Sequence, residues 1–90
     1  MIVRASIKIF GEVQGVNFRY YASRKAEEFG LDGFVRNEKD GSVYMEIEGE
    51  KENLEKFVEW CKKGPPFAKV GDVKVEFSEG PERFKRFAAE

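Results

Sequence analysis

Ninety residues, 41% apolar and 37% charged with a net charge of −1, can build one core but have no general attraction to nucleic acid or anionic membranes. Histidine is absent and Cys61 is the single cysteine, which excludes a histidine base, a Ser-His-Asp triad, a thiolate or imidazole zinc site and an intramolecular disulfide. No stretch has the length of a membrane span and the N-terminus has no signal-peptide core, so one cytoplasmic domain over residues 1–90 is expected.

The first strand is expected over residues 2–10, where Val3, Ala5, Ile7 and Ile9 alternate onto one face. A glycine-punctuated segment comes next, Gly11-Glu12-Val13-Gln14-Gly15-Val16-Asn17-Phe18-Arg19. Asn17 has the chemistry of an N-cap for a helix carrying Phe18, Ala22, Ala26 and Phe29 on one stripe, and Gly30 supplies the stop. Leu31, Gly33, Val35 and Asn37 share one face of a second strand. Lys39-Asp40-Gly41 marks a tight turn, and Ser42 to Gly49 returns as a third strand with Val43, Met45 and Ile47 in phase. The second helix has Leu54, Phe57, Val58 and Cys61 at helical spacing, glutamates early and Lys62 and Lys63 late, and ends at Gly64-Pro65-Pro66. Val73, Val75 and Phe77 mark a fourth strand, and the tail around Phe84 to Phe87 is a candidate for a short edge strand.

This βαββαβ order predicts an α+β, ferredoxin-like sandwich: a four-stranded antiparallel sheet, extended by the short fifth strand if it forms, with both helices on one face. A right-handed crossover makes the first two strands parallel, with the third between them. Their C-terminal ends then share one sheet edge. The glycine loop leaves one end and Asn37 closes the other, in phase with the helix-facing residues, so Asn37 is expected to point toward the loop and Arg19.

A strand-to-helix turn rich in glycine can aim consecutive N–H groups at an anion beside the positive end of the helix dipole. Arg19 stands in the first helical turn, where the macrodipole repels a cation; a bound phosphate would reverse that penalty. The loop lacks the Gly-Lys-Ser/Thr ending of a triphosphate loop and the three-glycine dinucleotide pattern. An ordinary turn that happens to hold two glycines is the plain alternative, as a start for the hairpin turn is for Asn37.

Two motifs at this separation resemble the acylphosphatase family. Gly11 to Arg19 meets its glycine-x-valine-glutamine-glycine-valine-x-phenylalanine-arginine signature in full. Gly33-Phe34-Val35-Arg36-Asn37, followed by Asp40-Gly41-Ser42-Val43, meets the second, and Gly64-Pro65-Pro66 also fits. The last residues, Phe84 to Glu90, match the family's closing strand only loosely. The resemblance implies hydrolysis of the carboxyl–phosphate bond of a small acyl phosphate such as acetyl phosphate, 1,3-bisphosphoglycerate or carbamoyl phosphate. It implies Arg19 on the phosphoryl oxygens, Asn37 orienting the water, and main-chain N–H groups of Gly15, Val16, Asn17, Phe18 and Arg19 completing the cradle. No cofactor and no metal are expected, since no Asp/Glu cluster is in view and alignment with charge stabilisation suffices for this chemistry. The expected state is a monomer that binds inorganic phosphate as product and competitive inhibitor, with no nucleic-acid or membrane partner.

The rival class is an RNA-binding module, or a small-ligand regulatory module, of the same fold. An RNA-binding sheet needs stacking aromatics on its open face, where the third strand here would expose Tyr44, Glu46 and Glu48. Arg36, beside Asn37, is expected on that opposite face as a solvated charge; Cys61 is expected in the core, with Trp60 flanking it. Tyr20 and Tyr21 fit either helix-edge packing or a border of the substrate. The Glu- and Lys-rich composition resembles that of hyperthermophile proteins.

Overall fold

The computed structural model describes residues 2–79 and 82–90. Its elements are β1 (Ile2–Glu12), α1 (Phe18–Glu28), β2 (Asp32–Asn37), β3 (Val43–Glu50), α2 (Lys51–Lys63), β4 (Lys69–Glu79) and β5 (Phe87–Ala89). They form one five-stranded sheet in the order β4-β1-β3-β2-β5. β1 is antiparallel to both β3 and β4, and β3 to β2, so β1 and β2 are parallel with β3 between them. α2 lies over β1, β3 and β4, while α1 lies over β2 and β5.

Period-two alternation builds the sheet's inner face. Ala5, Ile7 and Ile9 face inward beside Val43, Met45 and Ile47, and all six are fully buried. Phe18, Ala22 and Ala26 of α1 and Leu54, Phe57, Val58 and Cys61 of α2 close the same cluster. Each large apolar side chain buried this way contributes about 1.5–3 kcal/mol. Trp60 flanks the core, its ring 5.6 Å from those of Phe18 and Phe57. Burial pushes the Cys61 thiol far above its ordinary pKa, as expected of a core cysteine.

Helix α1 ends as the sequence indicates. Gly30, at φ 67°, lets its own N–H reach Glu27 O (3.1 Å) and that of Leu31 reach Ala26 O (2.8 Å), the paired bonds of a left-handed helix stop. Gly33 serves a different need: a Cβ there would run into the Glu46 carbonyl of the adjacent strand, so only glycine lets β2 and β3 approach this closely.

Several expectations change. The fifth strand forms, but at Phe87–Ala89 rather than from Phe84, and it is parallel to β2, which makes the sheet mixed. β1 runs two residues further than expected, through a bulge at Phe10/Gly11 opposite β4. Asn17 occupies the N-cap but makes no side-chain capping bond: it is left-handed at φ 63°, instead of the extended conformation from which a cap side chain reaches back. Phe77 keeps the inward phase yet remains half-exposed, toward the end of an edge strand. Glu48, expected on the open face, lies on that face but is only 2% exposed, because the segment preceding β5 crosses over it.

Candidate functional site

The loop between β1 and α1 is fixed at both ends. Val13 is 1% exposed and Phe18, the first helical residue, 2% exposed, so the loop springs from one core position and ends at another. Losing Phe18 to alanine would cost about 3–5 kcal/mol and release the helix start with it. Between these anchors Gly15 (φ 76°) and Asn17 (φ 63°) are both left-handed, which folds the main chain tightly back on itself. The first intrahelical bond runs from Tyr21 N–H to Asn17 O at 3.1 Å. The N–H groups of Phe18, Arg19 and Tyr20 therefore have no partner within the helix and stand at its positive end.

Gln14, the single glutamine of the chain, ties this loop to the β2–β3 turn. Its Nε2 donates to Glu38 O at 2.7 Å and Ser42 O at 2.9 Å. The turn is itself cross-braced. Asp40 Oδ1 accepts the Ser42 N–H at 3.0 Å and the Ser42 hydroxyl, and Asp40 Oδ2 pairs with Lys8 Nζ at 3.1 Å. The Ser42 hydroxyl and N–H, followed by Lys8, lower the Asp40 pKa from 3.8 to about 2. Asn37 is the last residue of β2, paired with Val43 and so in the inward phase. It is exposed.

These parts meet in one cleft of about 430 Å³, lined by Val13, Gly15, Asn17, Phe18, Arg19, Tyr20, Ser23, Asn37 and Ala89. Both side chains expected at a site, Arg19 and Asn37, are present, with most of the expected loop residues. Val16 is the exception: it does not line the cleft, and its side chain packs against the core. Tyr20 borders this cleft and Tyr21 a second one, their rings packed edge to face 5.3 Å apart between the two. That second groove, about 810 Å³, is larger but carries Arg24, Lys25 and Lys63 mixed with Glu27 and Glu28, without the loop. Arg36 turns away to the open face, where it pairs with Glu38 at 3.4 Å over the rings of Phe34 and Tyr44.

The tail is the participant that the sequence leaves out. Ala89 lines the cleft and Glu90 O accepts a hydrogen bond from Arg19 Nη1. Glu90 N–H in turn donates to Val35 O at 2.8 Å, which sets the position of Glu90 O against β2.

The acylphosphatase family model matches residues 5–89. The chain belongs to the acylphosphatase family. Its enzyme class is accordingly that of the family. An acylphosphatase of Thermococcus kodakarensis is 47% identical over 85 residues, covering 92% of this chain and 93% of its own. One from Mannheimia succiniciproducens is 39% identical and covers 99% of each chain. The crystal structure of acylphosphatase from Bacillus subtilis superposes with a TM-score of 0.94 at 40% identity, covering 98% of both chains. The acylphosphatase assignment removes the RNA-binding rival, and the open face agrees with it. Phe34 there is packed by Phe84 and Tyr44, and the Tyr44 hydroxyl donates to Glu46 at 2.7 Å.

Proposed function

We propose that this chain hydrolyses small acyl phosphates to a carboxylate and inorganic phosphate, with Arg19 and Asn37 as the catalytic side chains. The phosphoryl group sits at the start of α1, its oxygens held by main-chain N–H groups of Gly15, Val16, Asn17, Phe18 and Arg19 and by the Arg19 guanidinium. Asn37 orients a water for in-line attack. The water oxygen bonds to phosphorus as the bond from phosphorus to the acyl oxygen breaks, and that electron pair leaves on the carboxylate. The water's proton passes to the phosphate product or to solvent. A carboxylate leaving group, whose acid has a pKa of about 4, needs no general acid, so a chain without histidine is sufficient.

The observation that supports this reading is the convergence of Arg19, Asn37 and the left-handed Gly15 and Asn17 on one cleft from separate elements. Arg19 stabilises the negative charge on the phosphoryl oxygens in the transition state, as a metal would elsewhere, so turnover needs no metal or cofactor. Inorganic phosphate, as product, competes for the same cradle. The reading extends to a monomer working in the cytoplasm, in keeping with the buried unpaired thiol of Cys61.

Phosphate release from acetyl phosphate in the presence of EDTA tests it. Turnover persists under chelation, and added phosphate raises KM without changing kcat. Chelation that abolished activity, with recovery in magnesium, would remove the electrostatic role from Arg19. No hydrolysis of acetyl, carbamoyl or benzoyl phosphate would overturn the reading as a whole.

A further inference from the structure

Glu48 is a carboxylate buried on the sheet face that carries no helix. It stands opposite Arg4 in the β1–β3 register, and the Arg4 Nε donates to its Oε2 at 3.0 Å. The remaining acceptor capacity goes to the tail. Arg83 N–H meets both carboxylate oxygens at 2.9 Å, and Phe84 N–H meets Oε1 at 2.8 Å. Ionised carboxylates are acceptors only, so Glu48 is matched by geometry to these three donors. Burial works against the charged form, but the Phe84 and Arg83 N–H groups and the Arg4 guanidinium outweigh it and hold the pKa below its ordinary value.

Beyond Phe84 the chain leads into the cleft. Arg86 O accepts from Gly33 N–H at 2.9 Å, β5 pairs with β2, Ala89 lines the cleft and Glu90 O takes the Arg19 guanidinium. A parallel edge strand of three residues is weak by itself, and a slip of one residue would turn Phe87, which packs against the core, to the other face. A fixed point just upstream removes that freedom.

We propose that Glu48 is a positioning residue for Arg19: its carboxylate sets where the segment 83–90 crosses the sheet, and so where Glu90 O meets the guanidinium. The proposal rests on Arg19 being the phosphoryl-binding residue. It makes Glu48 act on the opposite side of the sheet from the cleft, through the tail and without touching substrate.

Glu48→Gln is the test, because the amide sets an N–H₂ donor against the Arg4 or main-chain donors while keeping the side chain's size. At a temperature where circular dichroism shows the variant fully folded, KM for acetyl phosphate rises and kcat falls together. The loss in kcat/KM is about 10-fold, the scale of a small misplacement of a reacting group. The phosphate inhibition constant rises in parallel, and the Arg19 Nε–H resonance shifts or broadens in the NMR spectrum. A merely structural role would lower Tm and move none of these. Should Glu48→Gln not fold, Phe84→Ala loosens the same segment with the carboxylate in place and must give the same KM and kcat changes and the same change at Arg19. Either folded variant with the parent KM, kcat and Arg19 resonance overturns the proposal. A parent protein that neither hydrolyses acetyl phosphate nor binds phosphate would instead overturn the role of Arg19 itself.

Discussion

The cleft has two walls built on opposite terms. The loop wall, Val13 to Arg19, is clamped between two buried apolar residues and stitched to the β2–β3 turn by Gln14. The tail wall, Ala89 and Glu90, has a three-residue parallel strand behind it and, further back, a buried carboxylate. Apolar burial and main-chain geometry hold the first wall, with only an exposed carboxylate, Asp40, bracing the turn beside it, whereas the second depends on Glu48 keeping its charge. On the proposed reading the substrate-binding groups sit on the first wall, and the second orients one of them.

The largest expected effect separates the walls at once. On the proposed reading Arg19→Gln removes the charge offered to the phosphoryl group in ground and transition states alike, so KM rises and kcat falls. The combined loss in kcat/KM is on the order of 10³-fold or more. The thermal melt stays near that of the parent, since Arg19 is exposed. A folded Arg19→Gln enzyme with parent kinetics would mean that the loop wall does not bind the phosphoryl group.

Asn37→Ala is the next in size. With Asn37 orienting the water as proposed, kcat falls roughly 10²-fold while KM and the phosphate inhibition constant stay close to the parent values. Stopped-time phosphate assays on a variant checked by circular dichroism decide it. Parent kcat would reduce Asn37 to a turn residue at the end of β2.

The loop wall was legible in the sequence and the tail wall was not, for a physical reason. Val3 to Ile9 alternate, the two helices carry apolar stripes, and Gly11 to Arg19 is a contiguous motif, so each was readable from neighbouring residues. The topology that unites Arg19 with Asn37 followed from the order of elements and the handedness of one crossover. Glu48 had no such local sign. Along β3 it alternates with apolar residues as a solvated glutamate would, and its partners Arg83 and Phe84 come from the far end of the chain. Asn17 misled for a related reason: asparagine suits an N-cap and also tolerates the left-handed region, and this loop uses the second property. Gln14 carried a faint signal, as the single glutamine set inside the loop, but its acceptors are main-chain oxygens, which no sequence pattern marks.

Acid should then separate the walls. The Glu48 pKa is lower folded than unfolded, so its contribution is complete above the unfolded value and disappears as pH falls through the folded one. At pH 7, Glu48→Gln should cost about 2 kcal/mol, the scale of leaving buried donors without a charged acceptor. The gap between parent and variant should close in acid. Hydrogen exchange would sharpen this: in the parent, the Arg83 and Phe84 amides lose protection on acidification before those of the core strands. Simultaneous loss everywhere would mean that the tail is no separate unit.

The smallest effect belongs to the carboxylate on the loop side. Asp40 braces the turn that offers Gln14 its acceptors and leads from Asn37, yet it is exposed, so solvent screens its pairing with Lys8. Its pKa is lowered from 3.8 to about 2, led by the Ser42 hydroxyl and N–H. The sign matches that of Glu48: the contribution is present above pH 3.8 and is lost as pH falls toward 2. Asp40→Asn therefore lowers Tm slightly at neutral pH, by less than Glu48→Gln does, and the difference from the parent vanishes near pH 2. Thermal melts of the parent and both variants across this range test the ranking. A larger loss from Asp40→Asn than from Glu48→Gln would reverse the comparison, making the turn rather than the tail the charge-dependent wall.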